Sequence, residues 1–199
     1  RLRRGCAVRG RRPARRRLTV LIYDRRAWGA EHPDGFGPAP LPAREVWLHH
    51  SVTGAPTVNA SFETDAAAVR LLEQIGQARF GGGISYTFAV APSGRIFQGH
   101  SVGRRGAHTA GRNSIARAIV LIGDYSRARP GPAMVDGVAD LLAYGHRSGW
   151  WSSLRLTGGH RDGLKKHLEA NGVPSMIYYP VPCHLQNAYR TERFPQGSL

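Results

Sequence analysis

Nine histidines in 199 residues make metal chemistry the first thing to test, because the neutral imidazole is the commonest metal-ligating side chain. Two of them, His49 and His160, fall at the ends of apolar stretches that read as strands. Strand ends are where a sheet presents side chains to a cleft. A zinc hydrolase needs ligands of this kind held together while one coordination position stays open for water. Zinc lowers the pKa of that water to about 7 and polarises the carbonyl under attack. Two histidines far apart in sequence define no such site by themselves, so the elements that carry them have to bring them together.

Those elements are legible as an alternation of strands and helices. Residues 45–53 contain Val46, Trp47, Leu48 and Val52 and read as a buried strand delivering His49 and His50. Neighbours in a strand face opposite ways, so His50 is expected to pack or to bond the backbone on the far side from His49. Residues 64–79 place Ala68, Leu71, Leu72 and Ile75 at helical spacing, with Asp65 in the first turn, and the glycines 81–83 stop that helix. Residues 84–91 and 95–98 read as a hairpin around Pro92-Ser-Gly94, and residues 118–122 as a further strand. Pro132 opens a second helix with Val135, Val138, Ala139 and Leu142 on one face, and residues 155–159 form a short strand ending at His160. Helices between strands predict an α/β fold, a single domain with a central mixed β-sheet flanked by α-helices.

Composition narrows the class further. At 199 residues the chain suits one well-buried core. No apolar run reaches the length of a membrane-spanning helix, so a soluble or peripheral protein is expected. A monomer is expected as well. Nine of the 28 lysines and arginines lie within residues 1–17, where there is no acidic residue. Such a run reads as a disordered basic arm that makes non-specific contact with polyanions. It lacks the aromatic platform or recognition helix that would make it a nucleic-acid reader. Residues 18–23 are too short for the apolar part of a secretion signal, and no signal peptide is visible. Cys6 and Cys183 are the only cysteines, which rules out a disulfide framework and leaves at most one bridge.

Seven short motifs occur in order. They are Arg26-Ala-Trp-Gly-Ala30, Trp47-Leu-His-His-Ser-Val-Thr53, Ser85-Tyr-Thr-Phe88, Pro92-Ser-Gly-Arg-Ile-Phe-Gln-Gly99, Gly106-Ala-His-Thr-Ala-Gly-Arg-Asn113, Ile122-Gly-Asp-Tyr125 and Thr157-Gly-Gly-His-Arg-Asp162. In this the chain resembles the N-acetylmuramoyl-L-alanine amidase type 2 and peptidoglycan recognition protein family, especially the lysins of actinobacteria and their phages. The resemblance implies a zinc-dependent hydrolase of the bond between N-acetylmuramic acid and L-alanine. Its partner would be peptidoglycan, and it would act outside the cell or on the cell wall, whether secreted or released by a phage. It also implies His49 and His160 as zinc ligands and Tyr86 as a catalytic residue assisting the attacking water or the developing oxyanion. His108 and Asn113 would line the substrate groove. Trp28 is expected as a core anchor.

The pattern breaks after His160. Family enzymes carry a Cys-Pro pair about eight residues on, completing a His, His, Cys site, whereas position 168 is leucine here. His167 and Cys183 are the nearby alternatives, neither in a matching motif. From Arg161 onward the text resembles instead a fragment of the pyridoxal-phosphate sugar aminotransferases, without that family's cofactor-lysine region. The expected organisation is therefore a basic arm over residues 1–17, an amidase domain over 18–162 and an aminotransferase-like tail over 163–199. Members of the family that lack the cysteine commonly bind peptidoglycan without cutting it, which is the competing expectation.

Overall fold

The structure, a computed structural model, describes residues 20–159. The basic arm, His160, His167, Leu168, Cys183 and the aminotransferase-like tail lie outside the described residues.

Among the described residues six strands and two helices follow one another as β1 (Ile22–Tyr23), β2 (Glu45–His50), α1 (Phe62–Phe80), β3 (Phe88–Val90), β4 (Ile96–Gln98), β5 (Ala116–Leu121), α2 (Pro132–Arg147) and β6 (Gly158–Gly159). They form a single sheet in the order β1-β4-β3-β5-β2-β6. Among these six strands the β3–β4 hairpin is antiparallel and the other pairings are parallel, so the sheet is mixed as its sequence predicts. The hairpin turn closes where Gly94 N–H donates to Ala91 O at 2.9 Å, with Gly94 at φ 84°, a conformation that favours glycine. The strand expected over residues 84–91 is shorter than anticipated. Ile84 to Thr87 run irregularly, because Ser85 O accepts from Ala107 N–H in a loop rather than from a strand neighbour.

The two faces of the sheet are covered differently. α2 buries Met134, Val135, Val138, Leu141 and Leu142 against Val46, Leu48, Phe88, Val90, Ile119 and Leu121. Each fully buried aliphatic side chain of this kind contributes roughly 1.5–3 kcal/mol. On the other face α1 packs Ala66, Val69 and Leu72 against Ala89, Ala91, Phe97, Val120 and Ile122. That cluster draws on β3, β4, β5 and the residues that follow them but holds no residue of β2. The β2 end of this face is therefore left for loops to line.

The buried side of α1 differs from the side its apolar spacing predicts. Leu71 and Ile75 are exposed, while Asp65 and Glu73 are buried beside Ala66, Val69, Leu72 and Gly76. The two carboxylates tolerate burial because they are paired. Arg95 Nη1 bonds Asp65 Oδ2 at 2.8 Å, and Ser93 donates to the same oxygen at 2.6 Å. Glu73 accepts from Arg25 and from the backbone N–H groups of Glu31 and His32. Gly76 lets the helix approach the Gly83 carbonyl at a distance that a Cβ would forbid. Polar partners from distant loops thus outvote hydrophobic periodicity in setting this helix's rotation. Ser61 caps its start by accepting from Thr64 N–H, and Gly81 ends it at φ 77°.

Candidate functional site

β2 lies between β5 and β6, with His49 opposite Val120 and Leu48 opposite Gly159. Thr157 fastens the β6 side by accepting from Val46 N–H at 3.1 Å and donating its own N–H to Val46 O at 2.7 Å. Val46 and Leu48 face α2, so alternation turns Trp47 and His49 toward the face that α1 leaves open. His50 turns back to the α2 side, where its Nδ1 accepts from Tyr125 N–H at 3.0 Å. That backbone bond is what the alternation of neighbouring side chains leads one to expect.

Around the buried His49 the structure gathers Tyr86 and His108. The His49 and Tyr86 ring centroids are 5.6 Å apart, and those of His49 and His108 are 6.0 Å apart. Tyr86 is half-buried at the entrance to β3. His108 sits on a loop tied to the Tyr86 segment, since Ala107 N–H donates to Ser85 O at 3.0 Å. Gly106 makes this approach possible: a Cβ there would stand 2.6 Å from His100 Nε2 and 2.8 Å from His108 Cδ2, and would also meet Ser85 O.

Asn113 holds the same loop in shape. Its side-chain oxygen accepts from the N–H groups of both His108 and Thr109, at 3.1 and 2.9 Å. Arg112 anchors the loop to the start of β2 through an ion pair with Glu45, its Nε reaching Oε2 at 3.1 Å. The Arg112 hydrogen bonds hold the Glu45 carboxyl below its usual range. Sequence reasoning missed Thr109, whose hydroxyl stands 3.0 Å from His108 Nδ1 and 3.3 Å from His49 Nε2. Its place beside His108 was the one available signal.

Burial favours the neutral form of two imidazoles in this region, His108 and His100. Burial pushes His108 well below the ordinary histidine range, with His100 and Arg117 adding to the effect. His100, beneath it, is lowered to about 4 by burial. Arg117 is itself buried, and it bonds the carbonyls of Val102, Ala116 and Pro40. His108 Nε2 is buried and has no hydrogen-bond partner among the described residues. An orphaned polar atom of this kind calls for a ligand or water as its partner. Trp28, by contrast, belongs to the α1 core, with its indole N–H donating to Gln98 O at 2.7 Å.

Of the residues expected at the site, Tyr86, His108, Asn113 and His49 converge, while His160 lies beyond the described range. Among the described residues no three His, Cys, Asp or Glu side chains come together as a metal-binding group. His49 supplies one donor of the kind zinc takes, a buried imidazole braced through its other nitrogen, as metal-ligating histidines usually are.

The fold is similar to that of peptidoglycan-recognition proteins. The wild-type structure of Drosophila peptidoglycan-recognition protein LB superposes with a TM-score of 0.63 at 31% identity, covering 71% of this chain and 85% of that one. A variant of that protein has been solved in complex with tracheal cytotoxin. The family profile described as N-acetylmuramoyl-L-alanine amidase matches residues 39–170, and the chain belongs to that family. The N-acetylmuramoyl-L-alanine amidase of Mus musculus is 30% identical over 162 residues, which are 78% of this chain and 30% of that protein. Against the Drosophila melanogaster protein LB the chain is 31% identical and spans 61% of that protein's length. A 49-residue stretch is 43% identical to dTDP-3-amino-3,4,6-trideoxy-alpha-D-glucose transaminase of Streptomyces venezuelae, covering 25% of this chain and 13% of that enzyme. This partial match hints at the resemblance to a sugar-aminotransferase fragment. No helix among the described residues is long and apolar enough to cross a membrane.

Proposed function

We propose that the chain hydrolyses the amide between N-acetylmuramic acid and L-alanine in peptidoglycan, with zinc held by His49 and His160, and that it acts outside the cell or on the wall. The observation that carries this reading is the convergence of a buried His49, a half-buried Tyr86 and an unsatisfied His108 nitrogen at the open end of β2. A metal in this position would supply an acidified water and polarise the scissile carbonyl.

The chain's own residues do the rest. Tyr86 offers a phenolic O–H, which donates a hydrogen bond to an oxygen gaining negative charge without bringing a charge of its own. His108, neutral and buried, offers Nε2 as a second polar contact to substrate. Asn113 and Arg112 hold the loop that carries His108, so their part is to set its position. The glycan and peptide portions would lie along the face that α1 does not cover.

A second reading, binding of peptidoglycan without cleavage, is favoured by Leu168 standing where the family places its third ligand. Two assays on the purified chain separate the readings. Zinc content together with release of soluble products from isolated cell walls supports the hydrolase. Retention on insoluble walls with neither zinc nor product establishes the binding module. Failure to bind walls at all overturns both.

A further inference from the structure

Val52 stands three residues beyond His49, just past the C-terminal end of β2, and among the described residues it is the one non-glycine residue with a positive φ, 55°. The left-handed region crowds any Cβ, and a side chain branched at that carbon fits it worst. Burial offers no compensation, since Val52 is 59% exposed. Continued extension would avoid both costs. Val46, Leu48 and His50 alternate toward the α2 side, so an extended residue 52 would follow them there, where Tyr125 packs against the core.

The turn is held by its surroundings. Val52 N–H donates to Gly123 O at 3.1 Å, Ser51 Oγ accepts from Gly123 N–H at 2.8 Å, and Ser51 Oγ meets Thr53 Oγ1 at 2.7 Å. Gly123 is itself at φ 137°, and a Cβ there would stand 2.9 Å from Ala55 and 3.1 Å from the Tyr125 ring. None of these bonds uses the valine side chain. Asparagine or glycine would make the same backbone bond at a lower conformational cost. Strain of this kind, maintained by neighbouring structure, clusters at active sites and ligand clamps.

We infer that Val52 is a substrate-contacting residue whose isopropyl group forms the apolar end of the site beyond His49. Phe88 and Leu48 are both level with Ile119, so Tyr86 comes before His49 along the strand direction, and Arg112 ties the His108 loop to Glu45 at the start of β2. The polar groups thus approach His49 from one side. Val52 bounds the other, within about 10 Å of it for three residues of chain. This contact rests on the proposed substrate, whose scissile amide joins a lactyl carbonyl to alanine. Each partner carries a methyl group beside that amide, and an exposed branched aliphatic side chain suits such groups.

Val52→Asn tests the contact, because asparagine enters the left-handed region readily and brings no methyl group. The full chain carrying it should melt about 2–4 °C higher than the parent, from release of strain. Its affinity for isolated cell walls should fall about 10-fold, as for the loss of one aliphatic contact. Val52→Gly should weaken binding alike, and Val52→Ile, branched at the same carbon, should match the parent in both readings. A merely structural role would move melting and binding together, so opposite movement identifies the contact. An asparagine variant that binds as well as the parent, or melts no higher, would overturn the inference. If the parent itself does not bind walls, the proposed substrate fails and this contact with it; if parent and variant bind equally, only the contact fails.

Discussion

The backbone N–H of Tyr125 donates to His50 Nδ1 at 3.0 Å, so the second of two adjacent histidines is tied to the loop after β5 while the first faces the open side of the sheet. This asymmetry predicts different outcomes for two neighbouring substitutions. His49→Ala should weaken zinc retention by more than about 100-fold, beyond what outer-sphere changes cause. His50→Ala should retain most of it and lose stability instead, by about 1 kcal/mol for one hydrogen bond. Metal analysis after dialysis, paired with urea unfolding, checks both; equal zinc loss in the two variants would contradict the assignment.

Tyr86→Phe removes only an oxygen from a half-buried ring 5.6 Å from His49. Folding and zinc content should be unchanged. Turnover of cell walls should fall about 100-fold, the cost typical of losing one oxyanion donor. Unaltered turnover would leave the tyrosine a packing residue.

Gly106 is where the His108 loop meets the Ser85 segment. Gly106→Ala would force a Cβ against Ser85 O, His100 and His108. Overpacking of this sort costs about 1–3 kcal/mol. The expected result is a lower melting temperature and a displaced His108, read as weaker retention on peptidoglycan. A variant as stable as the parent would mean that the loop yields more easily than its hydrogen bonds imply.

Acid should destabilise the domain through its buried histidines. His100 has a folded pKa of about 4 against an ordinary 6.5, and burial is the largest cause. A depressed folded pKa means that the unfolded chain binds the proton first. The stability is therefore fully present above pH 6.5 and is lost as pH falls from 6.5 toward 4. The loss is on the order of 3 kcal/mol from His100 alone. His108, shifted in the same direction, deepens it. Urea midpoints across this range should fall steadily in the parent chain and more shallowly in His100→Gln. A flat profile in the parent would show that neither imidazole is held neutral.

Much of the chain could be read in advance because its signals are local. The strand carrying His49 and His50, the β3–β4 hairpin and the α2 face of Val135, Val138 and Leu142 all follow from alternation, turn residues and helical spacing. The candidate site residues were found through ordered motifs, each a few residues long. What local pattern could not supply was the rotation of α1. There Asp65 and Glu73 go inside because Arg95, Arg25 and two backbone N–H groups, all remote in sequence, arrive to pair them.

The sequence by itself determined which residue types were available for the chemistry, namely imidazoles at strand ends, a tyrosine and a histidine in short motifs, and a leucine where a thiolate is expected. Only the tertiary structure decided how the described ones meet. Parallel pairing of β2 with β5 sets His49 against Val120, and a carbonyl of the Ser85 segment draws in the loop that carries His108 and Thr109. Thr109 adjoins His108 in sequence, but its contact with His49 has no signature there, since the two are brought together by backbone hydrogen bonds between distant segments rather than by any local propensity.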